Sequence, residues 1–284
     1  MSYKPFISIV IPLYNKETSI TKTLSSIFQQ SFSDFEIVIV DDGSTDRSYQ
    51  IVREFQAKNE KDVIIKLVQQ TNAGPSSARN TGVRHASAEW IVFLDADDEL
   101  LNDALNIFKN IITEHKDIDI IDANKYLRKG SDERIEYHPI EGYVKNPFKE
   151  CFYGLISPGS GRSIFRRTLL LENPYNEEIR RFEDSELLGR LLSVARVYST
   201  KQSSMIVNCD YSDASHPRKD VREDYFAYLN FEEGGFWHRM CTYRFFLEER
   251  EHYPEYGKTH YAKMYKRYDL LLMYKLLKWF GKFF

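Results

Sequence analysis

Residues Ile7 to Ile11 form an unbroken apolar run, the pattern of a parallel strand covered on both faces. Ile20, Leu24 and Ile27 then recur at helical spacing. Glu36 to Val40 predicts a second buried strand that ends in Asp41 and Asp42, after which Gly43 turns the chain. Ser44 or Thr45 is placed to cap a helix carrying Ile51, Val52 and Phe55. Val63 to Val68 and Trp90 to Leu94 supply two further strands, with a helix between them opened by Pro75 in its first turn. Such alternation predicts an α/β fold: a mostly parallel sheet flanked by helices, with ligands held beyond the carboxyl ends of the strands.

After Ile118 the pattern loosens into a strand over Ile118 to Asn124, a polar hairpin-like stretch, the Gly-Ser segment SPGSGRSIF and a helix beginning near Glu183. From Arg218 onward the chain reads as helical and rich in Tyr, Phe, Lys and Arg. No internal repeat is visible.

Composition narrows the classes. In 284 residues, 42% are hydrophobic and 29% charged, enough for one α/β domain with an appendage. A net charge of -3 gives no basic excess, so no nucleic-acid partner is expected. Cys151, Cys209 and Cys241 lie far apart without CxxC spacing, which argues against a disulfide framework or a zinc site and for a reducing, cytoplasmic setting. The opening MSYKPFISIVIPLYN reads as a first strand rather than a signal, and nothing reaches the roughly 18 apolar residues of a spanning helix.

Asn15, the Asp41-Asp42 pair, Asn72 and the cluster Asp95, Asp97 and Asp98 each follow a predicted strand, so they should converge along one sheet edge. Within LDADD, two carboxylates one residue apart at a strand end are suited to a hard divalent cation shared with phosphate oxygens. An isolated DxD is more often a solvated acidic turn, but the position after a buried strand favours the metal reading.

Five blocks in order, SIVIPLYN, IVIVDDGSTD, QTNAGPSSARNTG, FLDADD and FED, resemble family 2 of the inverting glycosyltransferases with the GT-A fold, over roughly residues 5 to 215. The resemblance implies a catalytic domain over 1–217, with a nucleotide-sugar donor half (1–100) and an acceptor half (101–217), and a helical C-terminal extension over 218–284. It implies that Pro12, Leu13 and Tyr14 form the loop under the nucleotide base and that Asp41 reads the base. An ionised aspartate only accepts hydrogen bonds, which suits a ring N–H such as that of uracil and so a UDP-sugar. Asn72 and Arg79 would lie beside the donor, with Arg79 near the diphosphate. Asp95 would face the ribose or a metal-bound water, with Ala96 beside it on the donor, and Asp97 would hold Mn2+ or Mg2+ directly. His216 is the candidate for the family's late histidine ligand. Asp184, in FED, would be the general base that takes the acceptor proton, with Glu183 orienting the acceptor.

The QxxRW signature of processive synthases is absent, so addition of one or a few sugars is expected. The acceptor would be a saccharide or a lipid-linked saccharide in surface polysaccharide or glycolipid assembly. The tail from Lys263 to Phe284 interleaves six basic residues with Leu, Met, Trp and Phe against the single acid Asp269. Such a helix either lies in an anionic membrane interface as a peripheral contact or packs on the catalytic domain or a second subunit. Two other classes stay open: a nucleotide-sugar binding protein without turnover, and a nucleotidyltransferase, which PLYNKETS disfavours because it lacks a Gly-rich phosphate loop.

Overall fold

The computed structural model describes residues 4–59, 63–211, 224–250 and 266–280. Strands β1 (Ile7–Leu13), β2 (Phe35–Asp41), β3 (Ile64–Gln69) and β4 (Trp90–Phe93) lie parallel in the order β3-β2-β1-β4. They are joined by α1 (Ile20–Phe28), α2 (Ser48–Ala57) and α3 (Pro75–His85). β2 and β4 flank β1 on opposite sides, so the winding reverses there and leaves a crevice at the carboxyl ends, the usual ligand position of such sheets.

Alternation along β1 sorts its side chains. Ile7, Ile9, Ile11 and Leu13 join the core on the α1 face with Ile20, Leu24 and Ile27, whereas Val10 joins Ala78 and Val83 of α3 on the other face. At Gly82 of α3 an added Cβ would stand 2.2 Å from Val10 Cγ1, so only glycine lets that helix approach the sheet so closely. The α2 start differs from the expected cap. The helix begins at Ser48, whose N–H donates to Asp46 Oδ1 at 2.9 Å, because Ser44 and Thr45 are used in bonds to Asn15.

The second half contributes β5 (Glu99–Leu100), α4 (Ala104–Glu114), β6 (Ile120–Lys129), β7 (Asp132–Glu136), β8 (Gly142–Tyr143), α5 (Pro147–Tyr153), β9 (Ser163–Arg166), α6 (Arg167–Glu172), α7 (Glu183–Leu191) and β10 (Val197–Asn208). β9 runs antiparallel between β4 and β6, and β10 is parallel to β6, which gives one mixed, mostly parallel ten-stranded sheet with helices around it.

Two C-terminal helices, α8 (Phe236–Glu249) and α9 (Tyr268–Phe280), share a small core in which Met240, Tyr243, Phe246 and Leu270 pack with Phe226, Phe231 and Phe152 of α5. One face of the tail helix therefore does pack on the rest of the chain. Tyr268, Leu272, Leu276 and Trp279 are left exposed on its other side. No helix among the described residues is long and apolar enough to cross a membrane.

Candidate active site

The carboxyl ends of β1 to β4 bring the expected residues to one edge. Asn15, in the left-handed region at φ 50°, accepts from Thr45 N–H at 2.8 Å through Oδ1 and so ties the loop after β1 to the loop after β2. Asp42 accepts from the N–H groups of Ala73 and Gly74, both at 2.9 Å, and thereby fixes the entrance to α3. Gly43 (φ 74°) makes this approach possible, since a Cβ there would lie 3.1 Å from Asn72 N.

Leu13 is fully buried in the core, because the strand's alternation turns its side chain inward, and its carbonyl accepts from Asp42 N–H. Tyr14 is exposed and Pro12 half-buried, and these two remain available as a platform. Asp41, expected to read the base, is buried and accepts from Ser44 N–H (3.3 Å) and Gln69 Nε2 (3.1 Å), so here it holds its own turn. Asn72 is exposed at the edge and donates to the Asp42 carbonyl. The Ala96 side chain is buried and its carbonyl accepts from Ser19 Oγ.

Arg79, expected beside the donor, is 5% exposed and donates to Glu183 Oε1 at 2.7 Å and to Asp95 Oδ1 at 3.0 Å. It also sits 5.3 Å from the ring centroid of Tyr175. A guanidinium is always charged and carries its donors in a rigid fork, so this one residue clamps the DxD turn to the start of α7. Burial pushes the Glu183 carboxyl up, as does its neighbour Asp184, against the pull of Arg79.

Asp184 accepts a hydrogen bond from Tyr175 Oη at 2.7 Å on Oδ1, and Oδ2 has no hydrogen-bond partner among the described residues. Burial, and then the Asp184 charge, hold the Tyr175 phenol well above its ordinary value, so it stays protonated and keeps donating. Phe182, just before this pair, adopts a left-handed backbone (φ 56°) that starts α7 abruptly and packs its ring on Phe245 of α8. Sequence reasoning missed Tyr175, whose place beside Asp184 depends on a contact with no local signature.

Around the DxD turn, the Lys16 ammonium stands 2.7 Å from Asp97 Oδ2. Burial raises the Asp97 carboxyl, and the charge of Asp95 adds to this while Lys16 opposes it. Asp98 accepts from Asn208 N–H; burial, with Asp95 and Asp97 nearby, pushes it up to about 8. Among the described residues no group of three or more His, Cys, Asp or Glu is arranged to hold a metal, and His216 lies outside those residues. The donor chemistry nevertheless fits Mg2+ or Mn2+ in one mode. Asp95 and Asp97 offer two hard carboxylates, a cation already sits against one of them, and these ions are commonly held by one or two carboxylates plus substrate phosphates.

The glycosyl transferase family 2 model matches residues 8–172, from the second residue of β1 to the end of α6. The chain belongs to this family. Among similar members are the glycosyltransferase GlyA of Streptococcus pneumoniae, 38% identical over 133 residues, and a Campylobacter jejuni GalNAc(5)-diNAcBac-PP-undecaprenol beta-1,3-glucosyltransferase, 30% identical over 186 residues. The matched parts cover 46% of this chain and 18% of GlyA, and 61% of this chain and 56% of the Campylobacter enzyme. The matches therefore span only part of those proteins. The crystal structure of Staphylococcus aureus TarS in complex with UDP-GlcNAc shares the family 2 fold with a TM-score of 0.72 at 23% identity, covering 89% of this chain and 74% of that one.

Proposed function

We propose that this glycosyltransferase moves a sugar from a UDP-sugar to a hydroxyl of a saccharide or lipid-linked saccharide, with inversion and with Mn2+ or Mg2+ on the diphosphate. The observation that carries this reading is the Arg79 clamp, which sets the Asp95 carboxylate beside Glu183 and Asp184 on one edge. The UDP-GlcNAc bound to TarS and the undecaprenol-linked acceptor named for the Campylobacter enzyme support the donor and acceptor classes.

In this reading Tyr14 and Pro12 rest against the base, and Asp95 and Asp97 hold the metal, with His216 as a further ligand. The Lys16 ammonium, now against Asp97, would turn toward the arriving diphosphate and offset phosphate charge. When bound, the divalent cation supplies Lewis-acid neutralisation of the leaving diphosphate. Asp184 Oδ2 takes the proton from the acceptor hydroxyl while that oxygen attacks the anomeric carbon from the face opposite the diphosphate. The bond from that carbon to the diphosphate oxygen breaks, its electron pair leaving with the nucleotide. The Tyr175 hydrogen bond fixes the Asp184 carboxylate during the transfer, and Glu183, held by Arg79, orients the acceptor. The exposed stripe on α9 suits contact with a membrane carrying a lipid-linked acceptor.

The test is nucleotide release from UDP-, GDP-, CDP- and dTDP-sugars, with manganese or with EDTA, in the wild type and in Asp97→Ala. Metal-dependent release from a UDP-sugar, lost in the variant, is the expected result. Metal-dependent donor binding without release under any acceptor condition would instead favour a binding protein without turnover.

A further inference from the structure

A cavity of about 420 Å³ lies between α5, α7, α8 and the end of β7, within the size range of small-ligand sites. Its lining includes Glu136, His138 and Ser157 and the aromatic residues Tyr225 and Phe245. The Phe148 and His238 rings stack in the same wall with centroids 4.4 Å apart. Ser185, which follows the candidate base, also lines it.

The polar wall is built from a buried network. Arg162, buried in the sheet, reaches Asp122 Oδ1 with Nε (3.2 Å), Glu136 Oε1 with Nη1 (2.8 Å) and His138 Nδ1 with Nη2 (2.6 Å). Nδ1 of His138 also lies 3.4 Å from Asp122 Oδ2, but the donor-only guanidinium approaches it more closely, which makes Nδ1 the acceptor and puts the ring proton on Nε2. His138 is itself 5% exposed, and its Nε2–H has no hydrogen-bond partner among the described residues. Glu136 Oε1 lies 3.9 Å away, too far to accept it. The cavity wall thus presents a fixed donor beside a carboxylate acceptor.

This pair selects a ligand class. Neighbouring hydroxyls on a sugar ring each donate and accept, so one can accept from Nε2–H while the next donates to Glu136. The aromatic wall offers flat apolar faces to the C–H side of such a ring. An anion is disfavoured, because Arg244 is committed to Glu248 (2.7 Å) and to the carbonyls of Cys151 and Phe152, while Glu136 and Glu248 add negative charge.

We propose that this cavity binds a neutral saccharide unit of the acceptor, with His138 and Glu136 reading a pair of adjacent hydroxyls. The inference rests on the glycosyltransferase reading above and adds the acceptor's subsite to it.

The test is saturation-transfer NMR on the full chain, with UDP present and with cellobiose, lactose, maltose and N,N′-diacetylchitobiose as probes. His138→Leu removes the donor. Gly189→Leu narrows the cavity from the α7 side, where an added Cβ would have Tyr225 Oη at 3.5 Å as its nearest neighbour and so meets no clash. The expected result is transfer to at least one disaccharide in the wild type, reduced at least fivefold in both variants while the UDP signal is retained. Absence of disaccharide transfer in a wild type that binds UDP overturns the proposal and leaves the donor reading intact. Disaccharide binding unchanged in both variants also overturns it. A wild type with no UDP signal removes the underlying reading and the inference together.

Discussion

Arg79 Nη1 donates to Glu183 Oε1 across 2.7 Å, although 104 residues separate the two in the chain. With its second bond to Asp95, the guanidinium joins the DxD turn to the start of α7. Replacing it with methionine leaves the Glu183 carboxylate buried without its counter-charge, which costs about 3 to 5 kcal/mol where a buried pair loses one partner. Arg79→Lys keeps the charge but loses the fork, so it should fold better than the methionine variant and still lose about 100-fold in transfer through misplacement of the acidic groups. Thermal denaturation and nucleotide release, measured on both variants, separate the two effects.

Asp184→Asn should reduce transfer to acceptor by about 100-fold to 10,000-fold, the usual contribution of a positioned general base. UDP binding, followed by titration calorimetry, should stay within about twofold of wild type. Near-normal transfer by the variant would sink the assignment of the base.

Lys16 and Asp97 form an ion pair that a metal held by Asp97, as proposed, would have to displace. Lys16→Met should therefore tighten Mn2+ binding several-fold in the absence of nucleotide, as read from the electron paramagnetic resonance signal of free Mn2+. In the presence of UDP the gain should shrink or reverse, since the ammonium is then available to the phosphates. Equal Mn2+ affinity in the two proteins would show that the ammonium does not compete.

Glu36 is a buried carboxylate on β2 that accepts from Ser8 Oγ and Ser87 N–H and pairs with Lys66 at 2.8 Å. Burial opposes its ionisation, but Lys66, Ser8 and Ser87 together outweigh it and hold its pKa below the ordinary value of 4.5. A depressed folded-state value means that the stabilisation is complete above about pH 4.5 and fades as the pH falls through the folded value. Glu36→Gln should be about 1 to 3 kcal/mol less stable at pH 7 and lose less stability than wild type on acidification. Urea midpoints between pH 3 and pH 7 check both statements.

The donor half was largely legible in the sequence. The runs Ile7 to Ile11, Glu36 to Val40, Val63 to Val68 and Trp90 to Leu94 fall on strands Ile7–Leu13, Phe35–Asp41, Ile64–Gln69 and Trp90–Phe93, because buried parallel strands must be apolar on both faces. The same periodicity places the Leu13 side chain: with Ile7, Ile9 and Ile11 facing one core, the next odd position faces it too. What stayed hidden depends on partners distant in sequence. The Arg79 clamp, the Tyr175 bond to Asp184 and the Arg162 network each join segments from different parts of the chain. Nothing in SPGSGRSIF announces that its arginine would be buried against Asp122 or that β9 would slip antiparallel between β4 and β6.

Phe152 belongs to α5 but is fully buried among Met240, Tyr243, Phe246 and Leu270 of the C-terminal helices. Those helices are consequently no detachable appendix: peeling them away would strip α5 of its cover and dismantle one wall of the cavity beside α7. Damage to the tail would therefore be felt at α5 and at the cavity wall beside α7.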